Sequence, residues 1–201
     1  YMIIGPKYKI CKRLGSNVFE KCQTKAFSLA SQRVDTTKKK KRAGSDFNRQ
    51  LLEKQKLRLM YGLTEKQFST YVKNALESGE NPAAHLFAAL ESRLDSVAYR
   101  LGFVTTRRAA RQLATHGHLT VNGKRLDVPS HRVHVSNTIA VRPGSEGSAL
   151  FAGLEDRQKE AARVPWLTLT SAKEGVLVSA PQFGAQDSIV DFGAVFEYYT
   201  R

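Results

Sequence analysis

Acidic side chains and thiols are what this chain of 201 residues is short of. It carries 18 Asp and Glu against 32 Lys and Arg, a formal charge of +14 that points to a polyanionic partner. Only two cysteines occur, Cys11 and Cys22, too few for a disulfide scaffold and in keeping with a reducing compartment. They also fall short of the four ligands of a structural zinc site, so two isolated free thiols and no metal are expected. No apolar run approaches the ~18 residues of a spanning helix, and nothing reads as a signal peptide. Nucleic acid is therefore expected ahead of a membrane as the partner, and a soluble protein as its form. With 41% hydrophobic residues the chain still has enough to bury a core in one or two domains.

The positive charge is concentrated in two blocks. Residues 1–58 hold 16 basic and 4 acidic side chains and residues 93–142 hold 9 and 2, whereas 59–92 and 143–201 are net acidic. The acidic end suits packing, or a basic protein neighbour, better than phosphate contact.

Residues 92–142 are the most informative stretch. Leu94, Val97, Ala98 and Leu101 recur at i, i+3, i+4 and i+7, a short amphipathic helix that Gly102 ends. Thr105 or Thr106 caps a second helix, whose first-turn amides, together with Arg107, Arg108 and Arg111, suit a phosphate. His116-Gly117 closes it. Leu119, Val121 and Leu126 then surround Asn122-Gly123, the pair that makes a type I′ hairpin turn, and Lys124 and Arg125 follow at once. A basic helix beside a basic hairpin, opposed by few acids (Asp95 and Asp127), is an arrangement for nucleic acid.

The motifs RLD, YRLGF, TTRRAARQL, HGHLTVNGKR and VPSHRV stand in this order between 93 and 133 and resemble the S-four RNA-binding module. With EKQKLRLMYGLTEKQF at 53–68, FEYYTR at 196–201 and GPKYK at 5–9, the chain resembles the S-four family of small-subunit ribosomal proteins, of bacterial or organellar type. Val135-Ser136-Asn137 stands where the family has a Pro-Gly-Asp turn, and His131 where it often has tyrosine. Many relatives carry a four-cysteine zinc cluster that this chain lacks.

The rest of the chain is read in order. Lys7, Lys9, Lys12 and Arg13 interleave with Tyr8 without apolar periodicity, an arm expected to order along phosphates. The run Lys38, Lys39, Lys40, Lys41 and Arg42 is a solvated arm by itself, and the resemblance implies an arm threaded on RNA. A helix from Asp46 to about Tyr61-Gly62 is expected to turn Leu51, Leu52, Leu59 and Met60 inward and Lys54, Lys56 and Arg58 outward. Thr64 and Gln67 have capping-box spacing for a helix to Ser78 that buries Phe68, Tyr71, Val72, Ala75 and Leu76. Another helix is expected over His85–Glu91. Residues 143–148 read as a flexible link, Leu150–Arg163 as a mixed-charge helix, and 165–169, 175–178 and 188–190 as strands.

These readings give an α+β protein. Its parts are a basic N-terminal arm (1–45), a helical domain (46–90, completed by about 188–201) and an inserted S-four domain (91–187, core 92–142) of two short helices on a small, mostly antiparallel sheet. The resemblance implies a non-catalytic binder of small-subunit ribosomal RNA that nucleates assembly of the subunit body. It further implies ribosomal protein S-five and other small-subunit proteins as neighbours, and messenger near the path by which it enters, hence a part in accuracy. A cytoplasmic or organellar ribosome is the implied location, with no membrane. RNA contact is expected from the cations already named and from Tyr61, His116, His118, Asn122 and Arg132. No cofactor is expected. Arg93-Leu94-Asp95 also matches letters of a pseudouridine synthase motif, but Ser96-Val97-Ala98-Tyr99 follows instead of Thr-Ser-Gly, and Asp95 is read as a helix residue paired with an arginine. A free-standing regulator or ribosome-rescue factor using the same module is the other alternative. The histidines 116, 118, 131 and 134 lack convincing metal spacing.

Overall fold

The structure, a computed structural model, describes residues 5–24, 45–79, 81–160, 164–184 and 190–201. It divides into two compact units, Tyr1–Gly79 with Gly184–Arg201, and Glu80–Phe183. The second is thus inserted into the first.

The discontinuous unit is helical: α1 (Lys7–Leu14), α2 (Asp46–Met60), α3 (Glu65–Glu77) and α8 (Phe192–Thr200). Ser45 caps α2 by accepting from Asn48 N, and the helix gives way at Tyr61-Gly62, where Gly62 has φ +63. The capping box forms as the spacing of Thr64 and Gln67 requires, and α3 buries Phe68, Val72 and Ala75, leaving Tyr71 and Leu76 half-buried. Asp191 caps α8 by accepting from Ala194 N at 3.1 Å, and α8 packs on α2 and α3.

Two expectations fail here. The buried face of α2 is Gln50, Lys54, Leu57 and Leu59, while Leu51 and Leu52 are only half-buried. This happens because α8 lies against α2 through polar partners: Gln50 Nε2 donates to Glu197 Oε2 at 2.7 Å, and Lys54 Nζ sits 4.5 Å from the Tyr198 ring centroid. Nor is the opening segment without a core. Cys11 and Leu14 of α1, with Val18, Phe19 and Cys22, close on Leu59 of α2, so residues 7–22 gain their apolar partner from α2. The two thiols, expected to be isolated, are neighbours. Burial first, then hydrogen bonding to Cys11, pushes the Cys22 thiol up to about 12. Lys38–Arg42 lie outside the described residues.

The inserted unit stacks α4 (Pro82–Glu91), α5 (Leu94–Arg100) and α6 (Arg107–Thr115), followed by strands β1 (Leu119–Val121), β2 (Lys124–Arg125), β3 (Thr138–Val141), β4 (Leu167–Ser171) and β5 (Glu174–Leu177). Helix α4 starts before His85, because Asn81 accepts from Ala84 N and Pro82 fills the first helical position. The sheet runs β2-β1-β3-β5-β4, antiparallel throughout. Its inner face carries Leu119, Ile139, Val141 and Leu177, the helices contribute Leu90, Leu94, Val97 and Leu113, and the bend after α5 contributes Phe103, all at most 3% exposed. Each such side chain contributes about 1.5–3 kcal/mol by leaving water. Gly175 has no room for a side chain, since a Cβ there would lie 2.5 Å from Leu101 Cδ2.

Residues 143–148 are structured rather than a free link. Pro143–Ser145 is a 3-10 turn, and Ser145 is buried with its hydroxyl engaged. Helix α7 is Leu154–Glu160, starting later than expected because Ala149–Phe151 is a 3-10 turn, and Gln158 ties it down by donating to Leu101 O and Ala172 O. Of the last expected strand, Ser188 and Ile189 lie outside the described residues, and Val190 is a buried bend.

Candidate nucleic-acid interface

In the inserted unit, α6 presents the cations. Thr106 is its cap, accepting from Ala109 N at 3.1 Å, and Ala110, Leu113 and Ala114 form its buried stripe. That stripe turns Arg108 fully outward and leaves Arg111 partly covered. Arg107 points the other way. Its Nη2 donates to Glu91 Oε1 at 2.8 Å, its Nη1 to Ser96 Oγ at 3.1 Å, and its Cζ stands 4.8 Å from the Tyr99 ring centroid. Arg100 grips the same carboxylate with two nitrogens, at 2.9 and 3.0 Å, and the Glu91 side chain is wholly shielded from water. Arg107 is therefore corrected from a phosphate ligand to an internal clamp between α4, α5 and α6.

Asp95 is likewise spoken for. Arg93 Nε and Nη2 donate to its two oxygens at 3.0 and 2.7 Å, with both side chains buried. An ion pair so enclosed matches the reading of Asp95 as a paired helix residue and leaves its carboxylate no lone approach to a substrate.

The turn after α6 gathers a second group. Gly117, at φ +69, lies under the Arg125 guanidinium so closely that a Cβ would come 2.3 Å from Nε. The rings of His116 and His118 flank it, 9° from parallel with centroids 6.1 Å apart. His118 Nδ1 is 2.9 Å from Ser145 Oγ, which also accepts from Arg142 Nε at 3.3 Å. Burial, then the positive charges of Arg142, His116 and Arg125, holds the His118 imidazole below the usual histidine range. Arg142 and Ser145 were not singled out by sequence; a cation directly after the apolar strand Ile139–Val141 was the available signal.

The hairpin turn has the expected geometry, with Asn122 at φ +49 and Gly123 at φ +77. Asn122 Oδ1 accepts from Thr138 N at 2.8 Å, so the oxygen of this candidate contact is used inside the fold. Lys124 and Arg125 are exposed at the tip, as is Arg132, whose backbone bridges to Arg93. The structure thus brings Arg125, His116 and His118 together, and places Arg108, Lys124 and Arg132 as separate exposed cations of the same unit.

In the helical unit the candidates divide. Lys9, Lys12 and Arg13 are exposed on α1, Arg13 donating to Gln55 Oε1 at 3.2 Å, whereas Lys7 is half-buried with its ammonium 5.5 Å from the Phe19 centroid. Lys54 is buried, bonded to Glu65 at 2.8 Å, and is corrected from a surface cation to an internal one. Lys56 pairs with Glu53, and Arg58 Nε lies 3.4 Å from Glu65. Burial raises the Glu65 carboxyl, but hydrogen bonds from Lys54 and Tyr199 and the charges of Lys54 and Arg58 more than offset it, leaving it below the usual carboxylate range. Tyr61 is 6% exposed, so it is a core residue rather than an open stacking face.

Comparison with known proteins follows this division. A family model described as the S4 domain matches residues 92–139, and one described as the ribosomal protein S4/S9 N-terminal domain matches residues 2–91. The chain is 41% identical over 204 residues to the small ribosomal subunit protein uS4 of Roseiflexus castenholzii, with 98% of each chain covered. It is 38% identical over 203 residues to the protein of the same name from Pediococcus pentosaceus, with 98% of this chain and 97% of that one covered. The protein of that name from Chloroflexus aurantiacus is 36% identical over 206 residues, with 98% of each covered.

Proposed function

The chain belongs to the uS4 family of small ribosomal subunit proteins, and from that membership we propose that it binds small-subunit ribosomal RNA through the cations left exposed on its two units. It is a structural ribosomal protein and not an enzyme. Among the described residues, no helix is long and apolar enough to cross a membrane.

One observation carries the RNA reading. The inserted unit turns Glu91 and Asp95 inward, each neutralised by arginine, while Arg108, Lys124, Arg125 and Arg132 face water. Its outward field near α6 and the hairpin is therefore positive where a polyanion would lie. Lys and Arg there release counterions from phosphates, and the rigid helix and hairpin fit the shape of folded RNA. Lys9, Lys12 and Arg13 extend the same chemistry to the helical unit.

The finer parts of the proposal rest on family resemblance. The chain binds early and nucleates assembly of the subunit body. It lies beside ribosomal protein S-five and other small-subunit proteins, near entering messenger, and so contributes to accuracy on ribosomes of the cytoplasm or an organelle. Binding of a small-subunit rRNA transcript, measured across salt concentrations, tests the core claim. Replacing Arg108, Arg111, Lys124 and Arg125 together by glutamine should weaken binding and flatten the slope of log K on log salt by about 0.7–0.9 per lost contact. An unchanged slope rejects this surface.

A further inference from the structure

His116 sits at the C-terminal cap of α6 with its ring exposed and parallel to that of His118. His118 is fixed from several sides. Its Nδ1 meets Ser145 Oγ, its N–H donates to Leu113 O at 3.1 Å, and its carbonyl accepts from Arg142 N at 2.8 Å. The pair therefore consists of one ring held by the fold and one open ring, next to the Arg125 guanidinium over Gly117. A helix C-terminus gathers partial negative charge, so a phosphate near the end of α6 depends on the Arg125 guanidinium and not on the helix. What His116 offers there is a flat face. Bases in an A-form duplex have their faces covered by neighbours, whereas unpaired bases of loops and bulges stack on aromatic side chains.

We propose that His116 is the stacking platform for one unpaired nucleobase of the bound RNA, with Arg125 taking an adjacent phosphate. The proposal rests on the RNA reading of this same surface and adds the kind of nucleotide it selects: a single-stranded or extruded base in place of duplex backbone.

Binding of a small-subunit rRNA transcript to the full chain is compared with binding to its His116→Ala, His116→Gln and His116→Phe forms. The exposed position makes equal melting temperatures the expected control. Stacking requires about a 5- to 100-fold loss for alanine and for glutamine, and near-complete retention for phenylalanine, which keeps the face and discards the ring nitrogens. Equal binding by all three forms, or glutamine binding better than phenylalanine, overturns the stack while RNA binding stands. Failure of the unaltered chain to bind the transcript removes the RNA reading, and this one with it.

Discussion

Replacing Arg107 by glutamine removes one of two guanidinium groups from a Glu91 carboxylate that is wholly shielded from water. Arg100 remains, so the expected cost is about 1–3 kcal/mol, read as a lower melting temperature. The salt slope of RNA binding should stay as it was. Arg108→Gln should do the reverse, leaving stability within about 0.5 kcal/mol and lowering the slope. A slope change with Arg107→Gln would return that residue to the interface. Ser136 is a second residue with a local consequence. It holds φ +68, a left-handed conformation costly for a side chain, and Asn137 supports the turn by accepting from His134 N at 3.0 Å. Ser136→Gly should stabilise the chain by about 0.5–1 kcal/mol, as measured by chemical denaturation. His118 adds a pH dependence. Its folded-state pKa lies below the ordinary value, so the unfolded chain takes up the proton first as pH falls. Its stabilising contribution is complete above about pH 6.5 and declines below it. His118→Gln should flatten that part of the stability profile; an unaltered profile would show that the imidazole is not the source.

At the scale of elements, polar groups join α8 to α2 alongside the contact of Phe47 with the Tyr198 ring. Lys54 sits between Glu65 and the Tyr198 ring, Gln50 meets Glu197, and Glu53 accepts from Asp191 N at 3.2 Å. Lys54→Ala should therefore loosen α8 first, seen as faster hydrogen exchange of its amides than of those in α3. Because Glu65 is held low, its share of stability is present above the ordinary carboxylate value and is lost as pH falls through the folded one. Unchanged exchange in α8 would count against the clamp. The same elements explain which parts were legible in sequence. Caps, turn glycines and the i, i+3, i+4 stripes of α3 and α5 depend on neighbours a few residues away, so Thr64, Gly62 and Asn122-Gly123 could be read directly and the cap of α6 narrowed to Thr105 or Thr106. The inward turn of Lys54, Tyr61 and Arg107 could not. Lys54 and Arg107 owe their places to partners, Glu65 and Tyr198 for the one and Glu91 for the other, brought there by folding, and a cation in a list of cations gives no sign of whether it has one. Residues 143–148 misled for a related reason: their Gly and Ser content suggests a link, but Ser145 has His118 and Arg142 to bond.

For the whole molecule, net charge states the partner and its distribution states the orientation. The basic blocks lie in both units, so RNA affinity should fall steeply with added salt, and neutralising one unit's exposed cations should remove only part of the slope. A slope abolished by altering the inserted unit alone would mean that Lys9, Lys12 and Arg13 make no contact. Fold class was readable at this scale, because the S-four motifs and alternating strands fall in one continuous stretch. The return of α8 to α2 required the resemblance, since nothing in nine residues of a terminal helix names its distant partner. That closure bears on synthesis. During translation the inserted unit emerges as an unbroken run and has its own partners in hand, whereas α2 must wait, with Gln50, Glu53 and Lys54 uncovered, until residues 191–200 have cleared the exit. Helix α2 thus stays uncovered for well over a hundred codons, from Met60 to Asp191, exposed to whatever acidic polymer or chaperone reaches it first, and the inserted unit is itself complete only near the end of that interval.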